Sequence, residues 1–295
     1  MSFFKRAWSI LKEVKRNFRN GEPVVHSAAI AFFTIFSLPA ISIVITLIGS
    51  AFFSEDTVRK EIVKEVRSLV SVEASEQVNV VIQNALEVPA GFWGVLFGIV
   101  VVVQSSSIMF LIIQKALNAV WQVKPKRNLG ILRIVKHRLI TLGMVIGLGL
   151  LLTLSLLLDT TITMFDEQLK YAFEEYFSGA VRAINTVFYL LIVFVFFTAV
   201  LKILPDVKVS WKDALVGGLI TSIFFLIGKE IINYVLGSIR IAGLYAAAGS
   251  LVVLLLWVFY SSVILLFGAE VTKAYASSYG RHPKPRSIAE RINGR

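Results

Sequence analysis

Long apolar stretches recur six times along the chain, over residues 28–53, 92–113, 139–158, 184–204, 214–236 and 246–271. Each is long enough to cross about 30 Å of hydrocarbon as an α-helix rising about 1.5 Å per residue. The pattern predicts an all-α, polytopic membrane domain of six transmembrane helices within residues 28–277. Pro39 lies inside the first stretch and removes one backbone donor, which predicts a bend rather than a break, with Ser42 or a neighbour compensating.

Two other regions are amphipathic. Within residues 1–27, Phe4, Trp8, Leu11, Val14 and Phe18 recur at helical spacing, with Lys5, Arg6, Lys12, Lys15, Arg16 and Arg19 around the rest of the wheel. This predicts an interfacial cytoplasmic helix, the alternative being a helix packed on the protein's own loops. Between Asp56 and Glu87, Val58, Ile62, Val66 and Leu69, then Val78, Ile82 and Leu86, keep three- and four-residue spacing. One or two extracytoplasmic helices between spans 1 and 2 are expected there, either capping an external opening or serving as a solvated connector. The tail 278–295, with Pro283 and Pro285 among basic residues, is expected to be disordered.

Composition agrees with the pattern. Of 295 residues, 56% are hydrophobic and only 17% charged, more apolar surface than a water-soluble fold of this size can hide, so the excess must face lipid. Cysteine is absent, which excludes disulfides, thiolate metal sites and cysteine nucleophiles. Met1 to Asn20 lack the apolar core and cleavage site of a signal peptide.

The net charge of +11 suggests phosphate neutralisation in a soluble protein, but in a membrane protein it sets orientation. With six spans, 22 of the 30 Lys and Arg fall on the side of both termini and 7 on the other, Lys229 lying inside a span. Both termini are therefore expected in the cytoplasm. The carboxylates lean the other way, most of them falling between Glu55 and Glu87 or between Asp159 and Glu175.

Lys229 and Glu230 carry the candidate chemistry, because ionised groups inside a spanning helix cost several kcal/mol unless paired or hydrated. Lys229 lies about 22 Å along its helix from Ala214, within reach of snorkelling. Adjacent helical residues point about 100° apart, so the two should seek partners elsewhere. Asn233 shares the Lys229 face, and Gln104 with Ser105, Ser106 and Ser107 falls at comparable depth. These residues either line a polar cavity or form a fixed pair that only locks the bundle. Glu270, beside Lys273, and Asp159 read as boundary residues, a surface pair there being worth little. Gly94 with Gly98 and Gly143 with Gly147 fit close helix packing, within the bundle or in a homo-oligomer. His26, His137 and His282 are isolated and no phosphate loop or nucleophile elbow occurs, so no metal site, cofactor or enzymatic activity is expected.

The segment Ala246-Ala-Ala-Gly-Ser-Leu-Val-Val-Leu-Leu-Leu-Trp-Val-Phe-Tyr-Ser-Ser-Val-Ile-Leu-Leu-Phe-Gly-Ala-Glu270 closely resembles the last span of the YihY/BrkB membrane protein family. So do Ala28-Ala-Ile-Ala-Phe-Phe-Thr-Ile-Phe-Ser-Leu-Pro39, Leu117-Asn-Ala-Val-Trp121, Leu204-Pro-Asp206 and Trp211-Lys-Asp-Ala-Leu-Val-Gly217, in order along nearly the whole chain. The resemblance implies a six-helix bacterial inner-membrane protein with cytoplasmic termini. It also implies an acid-and-base pair in the fifth span, matching Lys229 and Glu230, and a link with virulence, serum resistance and envelope function. An old ribonuclease label in that family is regarded as a misassignment, and nothing in these residues revives it.

The function expected is transport or lipid translocation. Lys229 would hold a phosphate or carboxylate, Glu230 would couple to a proton or sodium ion, Asn233 and Gln104 would line the path, and Tyr245 would gate its outer mouth. A non-transporting envelope scaffold and a Na⁺(K⁺)/H⁺ antiporter are the alternatives. Membrane lipids with anionic headgroups are the expected partners, and nucleic acid is not.

Overall fold

The computed structural model describes residues 3–49, 52–69, 75–76, 78–80, 82–83, 108–126, 139, 143, 147, 176–238 and 249–292. Among them run α1 (Phe3–Asn20), α2 (Pro23–Gly49), α3 (Glu55–Leu69), α4 (Ile108–Val120), β1 (Val123–Pro125), α5 (Tyr176–Ile203), α6 (Trp211–Ser238), α7 (Gly249–Ser278) and β2 (Ala289–Arg291). The molecule is mostly helical. Among the described residues two stretches, Trp211–Ile232 and Leu251–Ser278, are long and apolar enough to cross a membrane. A third joins them if the pair Trp8–Asn20 and Pro23–Leu38, bent by 67°, is one span, and Ile108–Val120 and Leu190–Ile203 are shorter apolar helices.

Helix α2 runs unbroken through Pro39, and Ser37 Oγ donates to Phe33 O at 2.9 Å one turn before it. The corner before α2 comes from Gly21, Glu22 and Pro23. Gly21 follows the last turn of α1, Glu22 takes a left-handed φ of 50°, and Pro23 opens α2 where its missing N–H costs nothing.

Helices α5, α6 and α7 form the centre. Phe110, Leu117, Phe197, Val200, Leu201, Leu204, Leu266 and Ala269 are buried together in the main core. Close approach of α6 to its neighbours relies on glycine. A Cβ on Gly218 would meet Thr198 Cα and Cβ of α5 at 3.0 Å, and one on Gly217 would meet Gly268 O at 3.0 Å and Thr272 Cβ at 3.1 Å of α7. Two hydroxyls of α6 and α7 are satisfied one turn back, Thr221 on Gly217 O at 2.7 Å and Thr272 on Gly268 O at 2.8 Å. A Cβ on Gly143 or Gly147 has nothing within 4 Å, so the close packing expected of that pair is not made within the described bundle, and Gly94 and Gly98 lie outside the described residues.

Helix α3 forms as its periodicity predicts, with Val58 buried and Ile62 and Val66 packed inward. Ser54 caps it, accepting from Thr57 N at 3.2 Å, and Arg59 and Lys60 hold the Asp56 carboxyl below the usual carboxylate range through hydrogen bonds and charge. Val78 and Ile82 pack with Val253, Leu254 and Trp257 of α7, covering the end of the bundle near Ile232.

The mostly helical fold carries one short addition at the opposite end, where β1 and β2 pair antiparallel, Val123 opposite Arg291 and Pro125 opposite Ala289. The tail expected to be disordered is ordered through Ile292: Ala289 is buried with Val123, Val207, Val209 and Ala214, and Pro285 bridges Val207. Its prolines and arginines meet partners distant in sequence, which composition does not reveal.

Candidate functional site: buried carboxylates at the basic end

The turn between α5 and α6 carries Asp206, which is 2% exposed. Gln114 and Asn118 sit four residues apart on α4 and so share one face. Gln114 Nε2 donates to Asp206 Oδ1 at 3.2 Å and to Leu204 O at 2.9 Å, and Asn118 Nδ2 donates to Asp206 Oδ2 at 2.7 Å. Asn118 Oδ1 in turn accepts from Asp206 N at 2.8 Å, while the Asp206 carbonyl accepts from Arg286 N of the tail at 2.8 Å. Arg286 also reaches the carbonyls of Lys202 and Val207 at 3.3 and 3.4 Å, closing the C-terminal end of α5 where unpaired carbonyls collect. The Asp206 carboxylate therefore ties α4 to the α5–α6 turn, and its backbone carbonyl ties the tail to the same turn.

A second carboxylate, Asp213 in the first turn of α6, is fully buried, where negative charge also meets the positive end of the helix dipole. Arg281 donates to its Oδ1 at 2.6 Å and lies over the rings of Tyr275 and Tyr279 at 5.7 and 5.0 Å. Nearby, Lys202 Nζ donates to Val209 O and sits over the Trp211 ring at 5.2 Å.

Glu270 overturns its reading as a surface boundary residue. It is 3% exposed, and its Oε2 makes no hydrogen bond. Lys273 lies 3.9 Å away with its own hydrogen bond directed to Val120 O at 2.7 Å, and Asn17 of α1 hydrogen-bonds Glu270. The helix continues beyond this point because α1 and α4 cover it.

Of the residues singled out from sequence, Lys229 is half-buried and Glu230 exposed on α6. Gln104, Ser105, Ser106, Ser107, Asp159 and Tyr245 lie outside the described residues, as does the side chain of Asn233. Beside Lys229, a Cβ on Gly228 would run into the Tyr260 ring, whose hydroxyl donates to Phe224 O at 3.1 Å. Among the described residues no group of three His, Cys, Asp or Glu could hold a metal ion.

Gln114, Asn118, Asp206, Asp213 and Arg281 do not stand out by apolar length or charge balance in the sequence. The available signal was the polar pair four residues apart in an apolar run, together with Leu204-Pro-Asp206. Ending the second span at residue 113 put Gln114 in a loop.

Comparison with known proteins places this arrangement. The profile described as virulence factor BrkB matches residues 14–293. The chain belongs to the BrkB family. The match in this BrkB-family protein begins at Val14, a buried residue of α1, and takes in all three carboxylates and the ordered tail. A UPF0761 membrane protein of Janthinobacterium sp. (strain Marseille) is 31% identical over 183 residues, 60% of this chain and 39% of that protein. One of Idiomarina loihiensis is 27% identical over 214 residues, covering 72% of this chain and 70% of its own. One of Yersinia pestis is 28% identical over 161 residues, 54% of this chain and 52% of the relative. Most of these alignments thus span about half or less of the relative's length. No solved structure matches the chain.

Proposed function

We propose that this BrkB-family membrane protein is a transporter of the bacterial inner membrane, with six spans and both termini cytoplasmic. It moves an anionic lipid or another anionic amphiphile along an intramembrane polar path. The observation that carries the reading is the adjacent pair Lys229 and Glu230 within the membrane-length apolar stretch Trp211–Ile232. Ionisable groups at such a position cost several kcal/mol unless water, a partner or a substrate meets them, and a polar path would supply that company to both. In this reading Lys229 holds the anionic group, Glu230 couples the movement to a proton or sodium ion, and Asn233 and Gln104 line the path. Tyr245 and the outer helices gate it. No catalytic step is assigned.

A scaffold is the second reading, favoured by the basic end, where the tail, β1 and the α5–α6 turn form one ordered surface. There, buried ions would serve the fold alone.

Proteoliposomes separate these readings. Labelled phospholipid translocation and internal pH are followed together for the native protein, Lys229→Met and Glu230→Gln, each variant shown to be folded. The expected result is lipid movement that drops at least tenfold in both variants, the loss of about 1.4 kcal/mol or more of binding at the site. A cation-driven pH signal without lipid movement makes the protein an antiporter. Native protein that moves neither leaves the scaffold standing.

A further inference from the structure

Helix α1 has two faces with different surroundings. On one, Val14 is buried with Val271 and Ala274 of α7, Ile10 packs beside it, and Phe18 sets its ring edge-on to Phe267 at 5.8 Å. On the other, Trp8, Lys12, Lys15 and Arg19 fall within about 60° of one another at 3.6 residues per turn. All four are exposed, Trp8 to 71%. The neighbouring carboxylate on this helix, Glu13, is half-buried on the α7 side, so the outward face carries three cations around one indole.

Orientation adds to this. The 67° bend at Gly21 and Glu22 sets α1 across the direction of α2 rather than along it. If α2 crosses the bilayer, α1 lies near the plane of its headgroups. Indole rings are enriched at that level, where the ring is apolar and its N–H stays wet, and each nearby Lys or Arg gains about 1 kcal/mol from anionic lipid.

We propose that this face of α1 binds the phosphates of anionic phospholipids in the surrounding bilayer, with Trp8 seated at headgroup level and Lys12, Lys15 and Arg19 on the phosphates. The inference does not depend on transport. The opposite face of α1 packs on α7 through Val14 and Phe18.

The absence of cysteine makes a direct test available. Leu11→Cys, at the margin of the face, carries one fluorophore in the full chain reconstituted into nanodiscs. Brominated phosphatidylglycerol and brominated phosphatidylcholine are compared as quenchers, with acrylamide as the aqueous quencher. The expected result is a preference for phosphatidylglycerol on the order of tenfold that weakens with salt. It falls toward one when Lys12, Lys15 and Arg19 are all changed to Gln, and persists when Lys15→Arg and Arg19→Lys keep the charge. Quenching by acrylamide but by neither lipid puts the face in water and overturns the proposal. Equal quenching by the two lipids, or a preference that survives loss of the cations, overturns phosphate recognition.

Discussion

Asp206→Ala is expected to lower the stability of the purified protein by about 3 kcal/mol. The substitution removes both carboxylate oxygens and leaves one N–H of Gln114 and one of Asn118 buried without acceptors. Each such donor costs about 1–3 kcal/mol, whereas the backbone bond from Asp206 N to Asn118 Oδ1 survives. Asp206→Asn is the sharper test, because it preserves volume but presents an amide where two donors already point. One donor must then face another, so Asn should also destabilise, by about 1–2 kcal/mol. Denaturant unfolding in mixed micelles reads both variants against native protein. An Asp206→Ala variant that unfolds with the native protein would show that α4 and the α5–α6 turn are held together by something else.

Gly218→Ala should destabilise by about 1–3 kcal/mol, while the same change at Gly143 should be neutral or mildly stabilising. The added methyl at residue 218 meets the Thr198 backbone at 3.0 Å, and a backbone atom cannot swing aside as a flexible side chain can. Gly217→Ala belongs with Gly218→Ala, since its methyl meets the Gly268 carbonyl at 3.0 Å. At Gly143 nothing lies within 4 Å, and alanine only gains helix propensity. Melting curves in detergent rank the three variants. Equal losses at residues 143 and 218 would mean that the α5–α6 contact is looser than described, or that residue 143 packs against another copy.

The helices were legible wherever their reason is local. The stripe of α3 is written in three- and four-residue spacing and the apolar lengths of α6 and α7 in hydropathy, whereas Trp8 and Leu11, grouped with Val14 by spacing, are exposed away from it. Helix ends were less legible, because charge was read as a boundary. Asp213 stands in the first turn of α6, yet the helix starts earlier, at Trp211, since Arg281 meets that carboxylate from 68 residues away. Glu270 and Lys273 looked like the end of the last span, yet α7 continues to Ser278 because Lys273 finds the Val120 carbonyl 153 residues away. The tail shows the same limit. Arginines and prolines suggest disorder by composition, and only the folded chain brings Arg286 to Asp206 and Ala289 beneath Val123.

Four basic segments meet at one end of the described bundle: α1, the stretch after α4, the α5–α6 turn and the tail. Facing that end to the cytoplasm is the claim on which the orientation, the lipid-binding face and any transport direction depend. Single cysteines at Lys126, Lys208 and Lys284, all exposed, and at Thr57 of α3, also exposed, test it against a membrane-impermeant maleimide. In intact spheroplasts Thr57→Cys should react at once, and the other three only after the membrane is opened. Labelling of Lys208→Cys or Lys284→Cys from outside, or a split among the three basic-end positions, would contradict the account.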